Sequence, residues 1–95
     1  MNSIFNALEE LIAKRQQEPN LGSYTCCLLS EETLVLRKIS EEAYEVIEAA
    51  FKGDREALIY ESCDLFYHLL VMLRKYGITL SEIEKELSRR NDENG

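Results

Sequence analysis

Apolar side chains recur at three- and four-residue intervals through most of the chain, which is the spacing of amphipathic α-helices. The pattern predicts helices over residues 3–17, 31–51 and 54–76, and a last one beginning near residue 79. Residues 18–25 are expected to form an irregular loop, and the short apolar piece 26–30 is compatible with one helical turn. Asn91 to Gly95 is expected to be a frayed tail. Residues 1–95 therefore form a single predicted domain, an all-α protomer of four to five helices packed as a bundle.

The turn between the second and third long helices is predicted to be short. Gly53 suits the left-handed position that ends a helix, and Asp54 can cap the next one. Helices joined by so short a turn pack as antiparallel neighbours. The polar residues of one helix are therefore expected to face a defined side of the other.

The helix over residues 57–73 is apolar on nearly every side, yet it carries Glu61, Asp64 and His68. At about 100° per residue these three positions fall within an arc of roughly 60°. Carboxylates are rarely buried unless they are paired or bind a metal. The acidic stripe therefore indicates a site, whereas His68 by itself is more typical of a hydrogen-bonded core histidine than of a metal ligand.

The facing helix contains a second acidic group, Glu41-Glu42-Ala-Tyr-Glu45, followed by Glu48. A helical wheel places Glu42 and Glu45 beside the expected apolar face and turns Glu41 and Glu48 towards solvent. That apolar face is expected to consist of Val35, Ile39, Ala43, Val46 and Ala50.

Packed against Glu61 and Asp64, Glu42 and Glu45 would bring four carboxylates together, and these would repel one another strongly. A hard divalent cation resolves the repulsion, and Mg²⁺ or Mn²⁺ suits oxygen ligands best. The alternative for each glutamate is an ordinary solvated helix face.

Composition and net charge limit the classes of partner that the protein is expected to bind. The net charge is −7 and no long basic cluster is present, which argues against nucleic-acid binding but leaves a metal-bound nucleotide open. The three cysteines, Cys26, Cys27 and Cys63, indicate neither a disulfide framework nor a zinc site and are typical of a cytoplasmic protein. The longest apolar run is too short to span a membrane. A chain of 95 residues with so apolar a helix is expected to self-associate.

Together these motifs resemble the all-α nucleoside triphosphate pyrophosphatases of the MazG type, and within them the phosphoribosyl-ATP pyrophosphatase family. Four pieces carry the resemblance: Gly22-Ser-Tyr-Thr25, Lys38-x-x-Glu-Glu-x-x-Glu45, Ala49-Ala50 and Glu61-x-x-Asp-Leu-x-Tyr-His-Leu-Leu-Val71. The chain departs from the family at Ser40, where glycine is usual, and at Cys26-Cys27, where a more varied pair is common.

The resemblance implies an intertwined homodimer that hydrolyses phosphoribosyl-ATP to phosphoribosyl-AMP and pyrophosphate with Mg²⁺, or with Mn²⁺ as a substitute. Its implied metal ligands are Glu42, Glu45, Glu61 and Asp64. One of two carboxylates, Glu41 or Glu45, would activate the water that attacks the α-phosphorus. The implied substrate contacts are Ser23, Tyr24, Thr25, Arg37 and Lys38.

Three other functions remain open from the residues alone. A housecleaning pyrophosphatase acting on other nucleoside triphosphates would share the metal site but gives no reason for Gly22-Ser-Tyr-Thr25. A di-iron carboxylate protein requires two Glu-x-x-His motifs, and this chain has one histidine. A non-enzymatic helical interaction module would bind neither Mg²⁺ nor Mn²⁺.

Overall fold

The computed structural model describes residues 3–94, and in this range it contains five helices and no strand. They are α1 (Ile4–Gln17), α2 (Tyr24–Ser30), α3 (Leu34–Lys52), α4 (Arg55–Lys75) and α5 (Leu80–Asn94). The predicted all-α fold is confirmed. Across the described residues, every helix is too short or too polar to cross a lipid bilayer.

The helix boundaries differ from the predicted ones in three places. Tyr24 and Thr25, predicted to lie in a loop, form the first turn of α2 because Ser23 Oγ accepts a hydrogen bond from the Cys26 backbone N–H at 3.3 Å. α3 begins at Leu34 rather than at residue 31. The predicted frayed tail is wrong for residues 91–94, which continue α5. Residue 95 lies outside the described range.

Capping side chains account for most helix starts, and the backbone of a glycine accounts for the turn at residue 53. Ser3 and Asp54 cap α1 and α4 as predicted, each accepting a hydrogen bond from a backbone N–H three residues later. Thr79 and Glu82 form a reciprocal capping box at the start of α5. Gly53 ends α3 with φ at 70°, a left-handed conformation that favours glycine. The helix ends are thus encoded locally.

The core joins the first four helices. It is built from Ile12 of α1, Leu28 of α2, Val35 of α3, and Leu70 and Val71 of α4. The beginning of α3 thus meets the end of α4, which is the antiparallel arrangement that the short turn predicts. α3 and α4 make the most extensive helix–helix contact of the described chain. Their shared face holds the candidate site.

Candidate active site

Three carboxylates meet in the middle of the α3–α4 contact. Glu42 and Glu45 of α3 and Glu61 of α4 each offer one oxygen atom, and these oxygens lie within 4.8 Å of one another. We call this group the carboxylate cluster. The predicted convergence of acidic residues from the two helices is therefore observed for three of the four proposed metal ligands.

Glu42 lies at the centre of the buried face of α3. The buried residues of this helix are Val35, Glu42 and Ala49, spaced seven apart, and Glu42 is 7% exposed. Sequence periodicity placed it at the margin of an apolar sector that included Ala50, but Ala50 is exposed. The helical wheel misplaced the centre of the buried face. α3 has further apolar residues on its outer side, and these shifted the centre of the apolar pattern away from Glu42.

The described residues leave the carboxylate cluster with buried oxygens that lack hydrogen-bond partners and with raised pKa values. Glu42 Oε2 and Glu61 Oε2 are buried and have no hydrogen-bond partner among them. Burial, reinforced by repulsion from Glu45, raises the pKa of Glu42. A proton shared with Glu45, together with burial and repulsion from its acidic neighbours, raises the pKa of Glu61 to about 7. Converging oxygen ligands of this kind fit a hard divalent cation such as Mg²⁺ or Mn²⁺.

The other acidic residues lie around this centre. Asp64 is one turn beyond Glu61 on α4 and falls outside the three-oxygen cluster, although its charge contributes to the raised pKa of Glu42. Glu41 is exposed, and its Oε2 lies 3.6 Å from Lys38 Nζ. Glu48 forms a similar surface pair with Lys52. The prediction that Glu41 and Glu48 face solvent is confirmed.

A cleft opens beside the carboxylate cluster at the turn between α3 and α4. Its volume is about 400 Å³, which is within the range of small-ligand sites. Two of the three cluster residues, Glu45 and Glu61, form part of its wall. The rest of the lining comes from Glu48, Ala49, Lys52, Asp54 and Ala57.

The predicted substrate residues differ in how free their side chains are. Ser23 Oγ caps α2, and the buried Thr25 hydroxyl is hydrogen-bonded to the Tyr67 hydroxyl. Tyr24 is 47% exposed. Arg37 is exposed and Lys38 is half-buried one turn before Glu42. These two are the cations among the predicted substrate residues.

Sequence reasoning missed the polar contacts between α2 and α4. Tyr67 and His68 of α4 bind Thr25 and Tyr24 of α2, respectively. A signal was present in the sequence, because a tyrosine and a histidine side by side on an apolar helix each require a polar partner. Nothing in the spacing identified that partner, since 44 residues separate Tyr24 from His68.

Comparison with known proteins covers nearly the whole described chain. A family model described as phosphoribosyl-ATP pyrophosphohydrolase matches residues 5–91. The phosphoribosyl-ATP pyrophosphatase of Metallosphaera sedula is 43% identical over 95% of this chain and 98% of its own length. That of Pyrobaculum aerophilum is 47% identical over 92% of this chain and 94% of its own. A histidine biosynthesis bifunctional protein of Bacillus subtilis is 45% identical over 95% of this chain, which spans only 44% of that protein.

Proposed function

Because this chain belongs to the phosphoribosyl-ATP pyrophosphohydrolase family, we propose that the carboxylate cluster between α3 and α4 is its active centre. The chain is a hydrolase of histidine biosynthesis that converts phosphoribosyl-ATP to phosphoribosyl-AMP and pyrophosphate. The observation that carries the proposed centre is the pair of buried carboxylate oxygens, one on each helix, that have no hydrogen-bond partner within residues 3–94.

Mg²⁺, or Mn²⁺ as a substitute, is the proposed cofactor. Glu42, Glu45 and Glu61 would hold it, with Asp64 completing the set from the next turn of α4. When bound, the cation supplies a Lewis acid that polarises the phosphates and balances the charge on departing pyrophosphate. The fit is supported by the donor chemistry, because the cluster offers only hard oxygen ligands and two of these oxygens are buried without a hydrogen-bond partner among the described residues.

The remaining residues have proposed roles in orienting water and phosphate. Water attacks the α-phosphorus, the bond from that phosphorus to the bridging oxygen breaks, and pyrophosphate departs. The proposed proton acceptor is Glu41 or Glu45, the first outside the carboxylate cluster and paired with Lys38, the second inside it. Lys38 and Arg37 bind the phosphates as fixed cations.

Pyrophosphate release from phosphoribosyl-ATP, measured with and without Mg²⁺, tests this centre. Glu61→Gln and Asp64→Asn are expected to abolish turnover while leaving the oligomeric state unchanged, because each removes a ligand charge without removing volume. Glu84→Gln, on the exposed surface of α5, is the matched control. Full activity in Glu61→Gln or Asp64→Asn would refute the ligand assignment. ATP and dUTP as competing substrates test for the housecleaning activity.

A homodimer is the proposed assembly, and the dimensions of the protomer support it. The radius of gyration is 14.8 Å, whereas a compact chain of this length has about 12 Å. The accessible surface is 7095 Å², roughly 1,500 Å² above that of a typical monomer of this mass. That excess is more than the roughly 800 Å² that one partner buries in a standard interface.

The residues that a second copy would cover are large apolar side chains on the outer faces of α3 and α4. Ile47, Phe51, Ile59 and Phe66 are all exposed in the isolated protomer, and Phe51 is 92% exposed. We propose that these side chains form the dimer contact, because contiguous exposed apolar surface marks an interaction site. Light scattering after size exclusion is expected to give twice the chain mass. Phe66→Glu is expected to give monomer; an unchanged dimer in that variant would exclude this face as the interface.

The proposed compartment is the cytoplasm. All three cysteines are free, as expected where thiols are kept reduced. A reporter fusion to the full chain, followed by cell fractionation, checks this assignment.

A further inference from the structure

Two hydrogen bonds join the first turn of α2 to the middle of α4, and one of them involves the buried histidine. Tyr24 Oη lies 2.8 Å from His68 Nε2, with the two rings edge to face. The adjacent pair, Thr25 and Tyr67, is hydrogen-bonded through its hydroxyl groups. His68 is 5% exposed, so its ring orientation is set by these protein contacts rather than by solvent.

The second ring nitrogen of His68 determines the direction of the bond to Tyr24. Nδ1 lies 2.7 Å from the backbone carbonyl oxygen of Asp64. A carbonyl oxygen can only accept a hydrogen bond, so Nδ1 carries the proton and donates it. In the neutral imidazole Nε2 is then an acceptor. The hydroxyl proton of Tyr24 must therefore point at His68.

This direction limits what the Tyr24 oxygen can bind. With its proton committed to His68, the oxygen has only lone pairs to offer. Phosphate oxygens also have only lone pairs when they are ionised, so Tyr24 cannot donate to them. A hydroxyl or amino group of a nucleotide, in contrast, carries the donor that this oxygen can accept.

Tyr24 is placed where such a contact matters. Its side chain is about half exposed and projects from the start of α2. Burial raises the pKa of Tyr24, the Lys38 ammonium opposes that rise, and the charges of Glu42 and Asp64 add to it. The Tyr24 hydroxyl binds His68, and the other ring nitrogen of His68 binds the backbone of Asp64, one turn beyond Glu61 on α4. The phenol is therefore linked through one imidazole ring to the helix turn next to the carboxylate cluster.

We propose that His68 is a positioning residue that holds Tyr24 as a hydrogen-bond acceptor, and that Tyr24 binds a hydroxyl or amino group of the nucleotide rather than a phosphate. The claim that Tyr24 binds the nucleotide rests on the proposed active centre. The claim about the His68 tautomer rests only on contacts within the protein.

The tautomer is tested without substrate or variants. The chain contains one histidine, so untagged, uniformly ¹⁵N-labelled protein gives a single pair of imidazole nitrogen signals. At neutral pH, Nδ1 is expected to have the shift of a protonated nitrogen and Nε2 that of an unprotonated one. The reverse assignment, or two protonated nitrogens, would overturn the proposal. If the wild-type protein did not hydrolyse phosphoribosyl-ATP, the proposed function would be refuted, but the nitrogen signals would still test the His68 tautomer.

Inhibition by the two products separates nucleotide binding from phosphate binding. Tyr24→Phe is expected to weaken inhibition by phosphoribosyl-AMP about fivefold, since one hydrogen bond is lost, and to leave inhibition by pyrophosphate unchanged. Tyr76→Phe, at an exposed tyrosine after α4, is the matched control. Equal weakening of inhibition by both products would show that Tyr24 binds phosphate, contrary to the proposal.

A double-mutant cycle tests the link between His68 and Tyr24. His68→Phe removes the acceptor and is expected to raise KM about as much as Tyr24→Phe, with kcat nearly unchanged. The double variant is expected to be no worse than either single one, because the two residues act as a unit. His68→Gln, which retains an acceptor oxygen, is expected to restore KM. Additive effects, or no rescue by His68→Gln in a protein that remains folded, would reduce His68 to a packing residue.

Discussion

The raised pKa of Glu61 predicts how metal affinity depends on pH. Glu61 has a pKa of about 7 because it shares a proton with Glu45 and is surrounded by other carboxylates. A divalent cation competes with that proton for the same oxygen. Lowering the pH from 8 to 6 should therefore weaken Mg²⁺ binding about tenfold, since about nine-tenths of Glu61 is protonated at pH 6 and about one-tenth at pH 8.

Isothermal titration with Mg²⁺ or Mn²⁺ at several pH values measures this effect directly. Repeating the titration in buffers of different ionisation enthalpy counts the protons released, with about one expected at pH 6 and nearly none at pH 8. Glu61→Gln should bind metal weakly and with a much flatter pH dependence. Unchanged wild-type affinity between pH 6 and 8 would show that no ligand of the metal titrates near pH 7, contrary to the pKa and ligand role assigned to Glu61.

Folding stability without metal should follow the same pKa shift. A carboxyl group whose pKa is raised on folding binds more protons in the folded state, so its favourable contribution is complete below about pH 4.5 and is lost as pH rises through about 7. Glu42 shifts in the same direction. The metal-free melting temperature is therefore expected to fall from pH 5 to 8, and Mg²⁺ to restore more of it at pH 8. A flat profile in the metal-free wild type would contradict the repulsion in the carboxylate cluster.

Two further predictions concern the stability of the helices that hold the site. Val71→Ala should lower the free energy of unfolding by about 2 kcal/mol, because Val71 is fully buried and the variant leaves a cavity. Urea titrations at fixed protein concentration measure this loss. A loss below roughly 0.5 kcal/mol would show that the core collapses around the smaller side chain. Lys75→Met should cost about 1 kcal/mol in the same assay, because Lys75 Nζ donates to the carbonyl oxygens of Leu28, Glu31 and Glu32 where α2 ends. An unchanged midpoint in Lys75→Met would show that water replaces the ammonium group at no cost.

Local sequence signals determined the helices and most of their ends. Ser3, Gly53 and Asp54 act on the backbone within a few residues, so their roles could be predicted without knowledge of the fold. The same locality explains why Glu61 was recognisable, since a carboxylate on an apolar helix is unusual wherever that helix packs. Residues 26–30 could be predicted only as compatible with one helical turn, and the full α2 from Tyr24 to Ser30 could not, because seven residues are too few for a periodic pattern.

The sequence predicted that Glu42, Glu45 and Glu61 converge. Only the tertiary structure showed that Asp64 lies outside this cluster, where Glu42 sits on its helix face and how the nearby polar groups are paired. The centre of a helix's buried face depends on what packs against each side. The outer apolar residues of α3 biased the wheel, so Glu42 was placed at the margin when it lies at the centre. Likewise, Tyr24 and His68 are far apart in the chain, and only the approach of α2 to α4 brings them within 2.8 Å. Sequence determined the chemistry that each helix carries; packing between helices determined which groups meet, because contacts between distant residues leave no periodic signal.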